Sequence, residues 1–150
     1  MASIITSKLL YEQDLNLWLL NTIEQLKQGD LKQLDIEHLI EELEGLAGRD
    51  RRELESRLEV LLSHILKRLF VPSPNDYRGW ELTIKEQRNR LQRLLKQSPS
   101  LHNYFISVFS EVYQDAFELV SLEYTEVSFP EVWPYSQTIE DILLTKFWGN

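Results

Sequence analysis

The sequence contains no cysteine. This absence excludes a disulfide framework and any metal site built from thiolates. It also means that a covalent nucleophile would have to be a serine, a threonine, a lysine or a carboxylate. The chain therefore lacks the chemistry on which many small secreted domains and many small redox proteins depend.

Long apolar runs are also missing. No stretch approaches the roughly 18 apolar residues that a membrane span requires. The segment MASIITSKLLYEQDLN at residues 1–16 lacks the basic region and apolar core of a secretory signal. We therefore expect a cytoplasmic protein with no membrane partner.

Glycine and proline are scarce, with five of each in 150 residues, whereas 43% of the residues are hydrophobic. This composition is typical of an ordinary globular protein. The length matches that of one domain, so residues 1–150 are expected to form a single helical domain.

Basic residues are scarce at both ends of the chain. Residues 1–48 carry a net charge of −6 and residues 97–150 a net charge of −7, whereas residues 49–96 carry +5. The basic middle could pack against the acidic flanks of its own chain or of a second copy. The alternative is a basic face for nucleic acid, which an isoelectric point of about 4.9 disfavours. We expect no nucleic-acid partner.

Helical spacing of apolar residues dominates the sequence, and strand patterns are nearly absent. The pattern predicts an all-α fold with four main helices in a bundle-like arrangement and a short C-terminal helix. Capping residues and the segment VPSPND indicate the boundaries. The predicted helices extend from about Lys8 to Gln28, from the N-cap Asp35 to Phe70, from Tyr77 after the cap Asp76 to Gln97, from the N-cap Ser98 to Tyr124, and from Ser136 or Thr138 towards Phe147.

The predicted first helix has apolar residues on two faces. A helix of this kind is either sandwiched within a fold or used in self-association, and we expect a homodimer or a complex with another protein. One face contains Tyr11, Leu15, Trp18, Leu19, Thr22 and Leu26, and the opposite face contains Leu10, Leu17 and Leu20.

Polar residues interrupt the apolar arc of the predicted second helix. Asp50, Arg57 and His64 are spaced seven residues apart along the edge of this arc, and Arg88 falls within the arc of the third helix. A buried charge requires a partner, so we predict interhelical ion pairs for the charged members, with acids such as Glu42 or Glu53. The arc itself comprises Ile36, Leu39, Ile40, Leu43, Leu46, Ala47, Leu54, Leu58, Leu61 and Ile65.

These residues define a candidate polar cluster. It could fix the register of the helices, or it could form a ligand or catalytic site; a lined pocket would favour the second reading and a fully paired cluster the first. His64 alone is expected to be a hydrogen-bonded core histidine. The cluster comprises Glu42, Asp50, Arg57, His64 and Arg88.

Metal and cofactor motifs are weak. Di-iron bundles use Glu-x-x-His pairs, but the residue three before each histidine is Asp35, Leu61 or Pro99. Asp35 and His38 are a possible ligand pair, although Asp35 suits a helix cap better. The sequence has no phosphate-binding glycine loop, no G-x-S-x-G and no H-E-x-x-H. We predict no metal and no cofactor; no catalytic motif is found, and the sequence assigns no catalytic residues.

Several blocks of the chain resemble a bacterial family, abundant in cyanobacteria, that is known as domain of unknown function 29. The blocks are YEQDLNLWLL, LDIEHLIEELEGLAGRDRRELESRLEVLLSHILK, WELTIKEQR, SPSL and the closing FP…PYS…DILLTKFW, in that order. The resemblance implies a helical fold of one domain and implies no activity. The family's blocks include the positions of Glu41, Glu42, Arg57, His64, Trp80, Glu86 and Arg88. Trp133 stands where the family often has cysteine, which argues against a required thiol there.

These observations favour a non-catalytic interaction or scaffold module that associates with itself. The alternative is a small enzyme or ligand-binding bundle that uses the candidate polar cluster.

Overall fold

The computed structural model describes the backbone of residues 2–149 and the side chains of residues 6–149. Every regular element in this part of the chain is helical, so the predicted all-α class is confirmed. The elements are α1 (Ala2–Gln13), α2 (Leu15–Gln28), a 3-10 turn (Leu31–Gln33), α3 (Ile36–Phe70), α4 (Pro74–Gln97), α5 (Leu101–Glu123) and α6 (Ile139–Leu144).

The predicted first helix is in fact two helices, so its predicted continuity is wrong. Asp14 separates α1 from α2, with a φ of −152°. Its carboxylate accepts a hydrogen bond from the Leu17 backbone amide at 3.0 Å. Aspartate competes for backbone donors in this way, which favours a helix start over a helix interior. The predicted end is confirmed, because Gly29 adopts a left-handed φ of 72° after the last turn of α2.

The other helix boundaries follow local capping. Asp35 caps α3 as predicted, since its carboxylate accepts a hydrogen bond from the His38 backbone amide at 3.3 Å. Thr138 caps α6 in the same manner, through the Asp141 amide at 3.2 Å. By contrast, α4 begins at Pro74 and not at Tyr77, because proline is compatible with the first turn of a helix.

The later helix limits differ from the prediction only slightly. The structure places the N-cap of α5 at Ser100 and not at the predicted Ser98. At the C-terminal end, α6 stops at Leu144, so Phe147 lies beyond it.

The chain divides into two compact units, unit 1 (Met1–Arg49) and unit 2 (Asp50–Asn150). Helices α1 and α2 and the first part of α3 belong to unit 1, and the remainder of α3 and the later helices belong to unit 2. The expectation of a single domain stays a prediction. No helix in the described part of the chain combines the length and apolarity needed to cross a bilayer.

Unit 2 has an extensive apolar core. Its described side chains include 23 buried apolar residues in one cluster, from α3, α4, α5, α6, the α3–α4 connection and the connector before α6. In that connector Trp133 packs edge-on against Phe109, Tyr113, Tyr135 and Phe147. The aromatic connector is therefore part of the core.

Unit 1 buries little apolar surface. Among its described side chains, the buried apolar ones are Trp18 and Leu34. Two polar side chains, Thr22 and Asp35, are also buried. The predicted stripe on the first helix is therefore buried only at Trp18 and Thr22. The arc of α3 is also divided, because it is buried from Leu54 onwards, whereas these members of its first part are exposed: Ile36, Ile40, Leu43, Leu46 and Ala47.

Candidate functional site

Four members of the candidate polar cluster have hydrogen-bond partners outside the cluster. Glu42 lies in unit 1 and the other four members lie in unit 2. Within unit 2 the side chains of Arg57, His64 and Arg88 each have different partners. Asp50 is half-buried on α3. The seven-residue spacing therefore places Asp50, Arg57 and His64 along one edge of α3 without bringing them into contact with one another.

Arg57 links α3 to α4 through an amide and not through an acid. Its Nε donates to Glu53 Oε1 at 3.0 Å within the same helix. Its Nη1 donates to Gln87 Oε1 at 3.2 Å across to α4. The predicted ion pair with Glu53 is present, but it is not interhelical.

His64 hydrogen-bonds within its own helix. Its Nδ1 lies 2.8 Å from the Val60 carbonyl oxygen, so Nδ1 carries the proton that is donated. Burial lowers the pKa of His64 below its usual value. The neutral ring is thus favoured, as in a structural core histidine.

Arg88 is the most buried charged group of the cluster, with 9% of its surface exposed. Its partners are two backbone carbonyls, because Nε donates to Ile142 O at 3.0 Å and Nη2 to Thr145 O at 2.6 Å. The predicted carboxylate partner is therefore wrong for Arg88. The carbonyls at the end of α6 lack helical donors and carry partial negative charge, which suits a guanidinium.

A cavity of about 460 Å³ lies beside Arg88. One part of the lining comes from α4, and the other comes from residues 143–148, at the end of α6 and just after it. The charged and aromatic side chains of the lining are Glu81, Lys85, Arg88, Lys146 and Trp148.

A second cluster, in unit 1, joins the start of α3 to α1. His38 Nδ1 lies 2.6 Å from the buried carboxylate of Asp35, and the Tyr11 ring stacks on His38 with the ring centres 3.9 Å apart. The Tyr11 hydroxyl donates to Glu42 at 2.5 Å, and this bond raises the pKa of Tyr11 to about 12. Trp18 packs edge-on against Tyr11.

The sequence gives only part of this cluster. The three-residue spacing identifies Asp35 and His38 as a pair, but nothing in the spacing brings Tyr11 of another helix onto the ring. The Asp35 carboxylate accepts from His38 Nδ1 and thereby fixes the orientation of the imidazole ring. Among the described residues, no group of three histidine or acidic side chains could hold a metal ion.

Unit 1 exposes apolar side chains on both α2 and α3. On α2, Leu15, Leu19, Ile23 and Leu26 are exposed and fall within about 80° of the helix circumference. On α3, the exposed residues Ile36, Ile40, Leu43 and Ala47 alternate spacings of four and three. This second set is called the α3 seam below.

A comparison with protein families finds a match over most of the chain. The family model described as Domain of unknown function DUF29 covers residues 10–148. No curated protein and no solved structure matches the chain.

Proposed function

The chain belongs to the family described as Domain of unknown function DUF29, and we propose that it is a self-associating interaction module. The assembly surface is the apolar face of unit 1, and a second copy of the chain covers it. A cytoplasmic location is part of the proposal, since a chain without cysteine has no disulfide that would need an oxidising compartment.

The concentration of exposed apolar side chains in unit 1 carries this proposal. Among the described side chains, twelve of the nineteen exposed large apolar ones lie there, although unit 1 has about a third of the residues. Monomeric proteins rarely expose large contiguous apolar patches, and such patches mark association sites. The twelve are Leu9, Leu15, Leu17, Leu19, Leu20, Ile23, Leu26, Leu31, Ile36, Ile40, Leu43 and Leu46.

The α3 seam suits a partner helix. Alternate spacings of four and three keep side chains on one narrow line, as at the inner positions of a coiled coil. From Ile36 to Ala47 the seam is about 16 Å long at 1.5 Å per residue. A second copy presents the same seam, so a two-fold axis would pair each copy with an equal surface.

The charge pattern along α3 supports an antiparallel pairing of two copies. The helix begins with Glu37, Glu41 and Glu44, and its first basic residue is Arg49, with Arg51 and Arg52 following. Antiparallel helices centred on the seam would place Arg49 of one copy near Glu37 of the other. Two such contacts, one at each end, would give the assembly complementary charge.

Light scattering at tens of micromolar tests the proposal, with an expected mass of about twice 17.8 kDa. Leu43→Glu should give the monomer, because it places a charge within an apolar contact. The control is Leu122→Glu, since Leu122 is 79% exposed in unit 2, and it should leave the mass unchanged. A wild-type monomer at this concentration, or a dimer that persists in Leu43→Glu, would overturn the proposal.

A charge exchange tests the orientation of the helices. Arg49→Glu should weaken the dimer, and adding Glu37→Arg should restore it, because the two changes exchange the signs across the contact. Failure of the second change to restore association would exclude the antiparallel arrangement.

A further inference from the structure

The cavity beside Arg88 is lined wholly by residues of unit 2, whereas the proposed assembly surface belongs to unit 1. Its volume of about 460 Å³ falls in the range of small-molecule sites, about 300–1,000 Å³. Arg88 is the member of the candidate polar cluster that lines it. Of the residues in the candidate polar cluster, Arg88 is therefore the one that could contribute to a ligand site at this cavity.

The buried charge of Arg88 has no carboxylate partner within the described residues. Arg88 as a whole residue is 9% exposed, and the acceptors that hold its guanidinium, Ile142 O and Thr145 O, are neutral carbonyls. Removal of a cation from water is costly unless an opposite charge compensates it. The protein thus fixes a guanidinium at the cavity wall and leaves its charge to be neutralised from the cavity.

The other basic side chains at the cavity also favour a negatively charged ligand. Lys85 and Lys146 also line it, and Lys146 is the single basic residue after Lys96 in a segment with eight acids. The acid in the lining, Glu81, is already engaged, since it accepts a hydrogen bond from Trp148 Nε1 at 3.0 Å and lies 3.6 Å from Arg68 Nε. The cavity is consequently a positive site in an acidic protein.

Part of the cavity lining is apolar. Ile84, Leu143 and Leu144 contribute aliphatic surface, and Trp148 contributes an indole ring. A bare inorganic ion would leave this surface in contact with water, whereas a molecule with an apolar body would cover it.

We infer that this cavity binds a small organic anion, with its carboxylate or phosphate group at Arg88 and Lys85 and its apolar body against Leu143, Leu144 and Trp148. The two headgroups share one recognition chemistry, because a guanidinium donates equally well to planar carboxylate and to phosphate oxygens.

Titration of the full-length protein with benzoate, phenyl phosphate and the neutral analogue benzamide tests the inference, read from the Arg88 Nε resonance by NMR. At least one of the two anions should bind saturably with a Kd of about 1 mM or tighter, and benzamide should not. The anion that binds more tightly assigns the headgroup. Saturation by neither anion, or equal binding of benzamide, would overturn the inference.

A matched pair of variants on α4 locates the site. Lys85→Gln removes an exposed cation from the lining and should weaken anion binding several-fold with an unchanged melting temperature. Arg93→Gln removes an exposed cation of the same helix that is outside the lining, and it should leave the Kd unchanged. Equal effects of the two variants would show only a general response to charge and would refute binding in this cavity.

Discussion

Units 1 and 2 differ in the burial of their apolar residues. Of the described side chains, unit 2 buries 23 apolar residues and exposes seven large ones, whereas unit 1 buries two and exposes twelve. The contrast is sharpest along α3, where Leu43 is 56% exposed and Leu54 is fully buried. Apolar composition alone therefore does not decide burial; the number of neighbouring helices available to cover a face does.

The two units also rely on different interactions. Burial of a leucine contributes about 1.5–3 kcal/mol, so the core of unit 2 dominates its stability. Unit 1 depends more on caps and on the cluster of Tyr11, Asp35 and His38. The buried indole N–H of Trp18 has no acceptor among the described residues. Local opening should accordingly require less free energy in unit 1 than in unit 2.

The largest expected effect is in the core of unit 2. Phe105→Ala should lower the free energy of unfolding by about 3–5 kcal/mol, because it leaves a cavity in a close-packed core. The adjacent Ile106 is 62% exposed, and Ile106→Ala should change the same quantity by less than about 0.5 kcal/mol. Chemical denaturation measures both. Equal losses for these neighbours would contradict the assignment of the core to one face of α5.

The corresponding change in unit 1 should act locally. Trp18 is fully buried, and Trp18→Ala should abolish the amide hydrogen-exchange protection of α1 and α2 and leave α4 and α5 protected. Its effect on the denaturation midpoint should be smaller than that of Phe105→Ala. Trp18→Phe is the control, since it keeps an aromatic ring and removes the unpaired N–H. Equal loss of protection in α4 and α5 would break the comparison, because the two units would then unfold as one.

Most of the helices could be predicted from the sequence because helix formation depends on local signals. Asp35 and Thr138 act as caps at the predicted positions. The interruption at Asp14 was missed because apolar spacing continues across it, and only the aspartate marks the break. The exposure of the α3 seam was missed for a different reason. A periodic pattern identifies an apolar face, but it does not say whether the same chain covers that face.

The candidate site was less predictable because its partners are distant in sequence or are backbone atoms. A buried arginine predicts an acceptor, but Ile142 O and Thr145 O are carbonyls, which leave no trace in the residue pattern. For Arg57 the sequence predicts an interhelical ion pair. Its ion pair with Glu53 is partly exposed, and pairs of this kind contribute only about 0–1 kcal/mol.

The smallest expected effect is a loss of the stability of unit 2 at acidic pH, which depends on His64. Burial, with a smaller contribution from Lys67, lowers the pKa of His64, while the Val60 carbonyl and Glu123 oppose the shift. The unfolded chain then binds a proton more readily than the folded one, so the stability of unit 2 should fall as the pH drops below about 6.5. Denaturation of the wild type and of His64→Gln between about pH 7.5 and 5.5 measures this loss, which the variant should reduce. The control is His102→Gln, at an exposed position of the same unit. An acid loss that persists undiminished in His64→Gln would assign the titration to other groups.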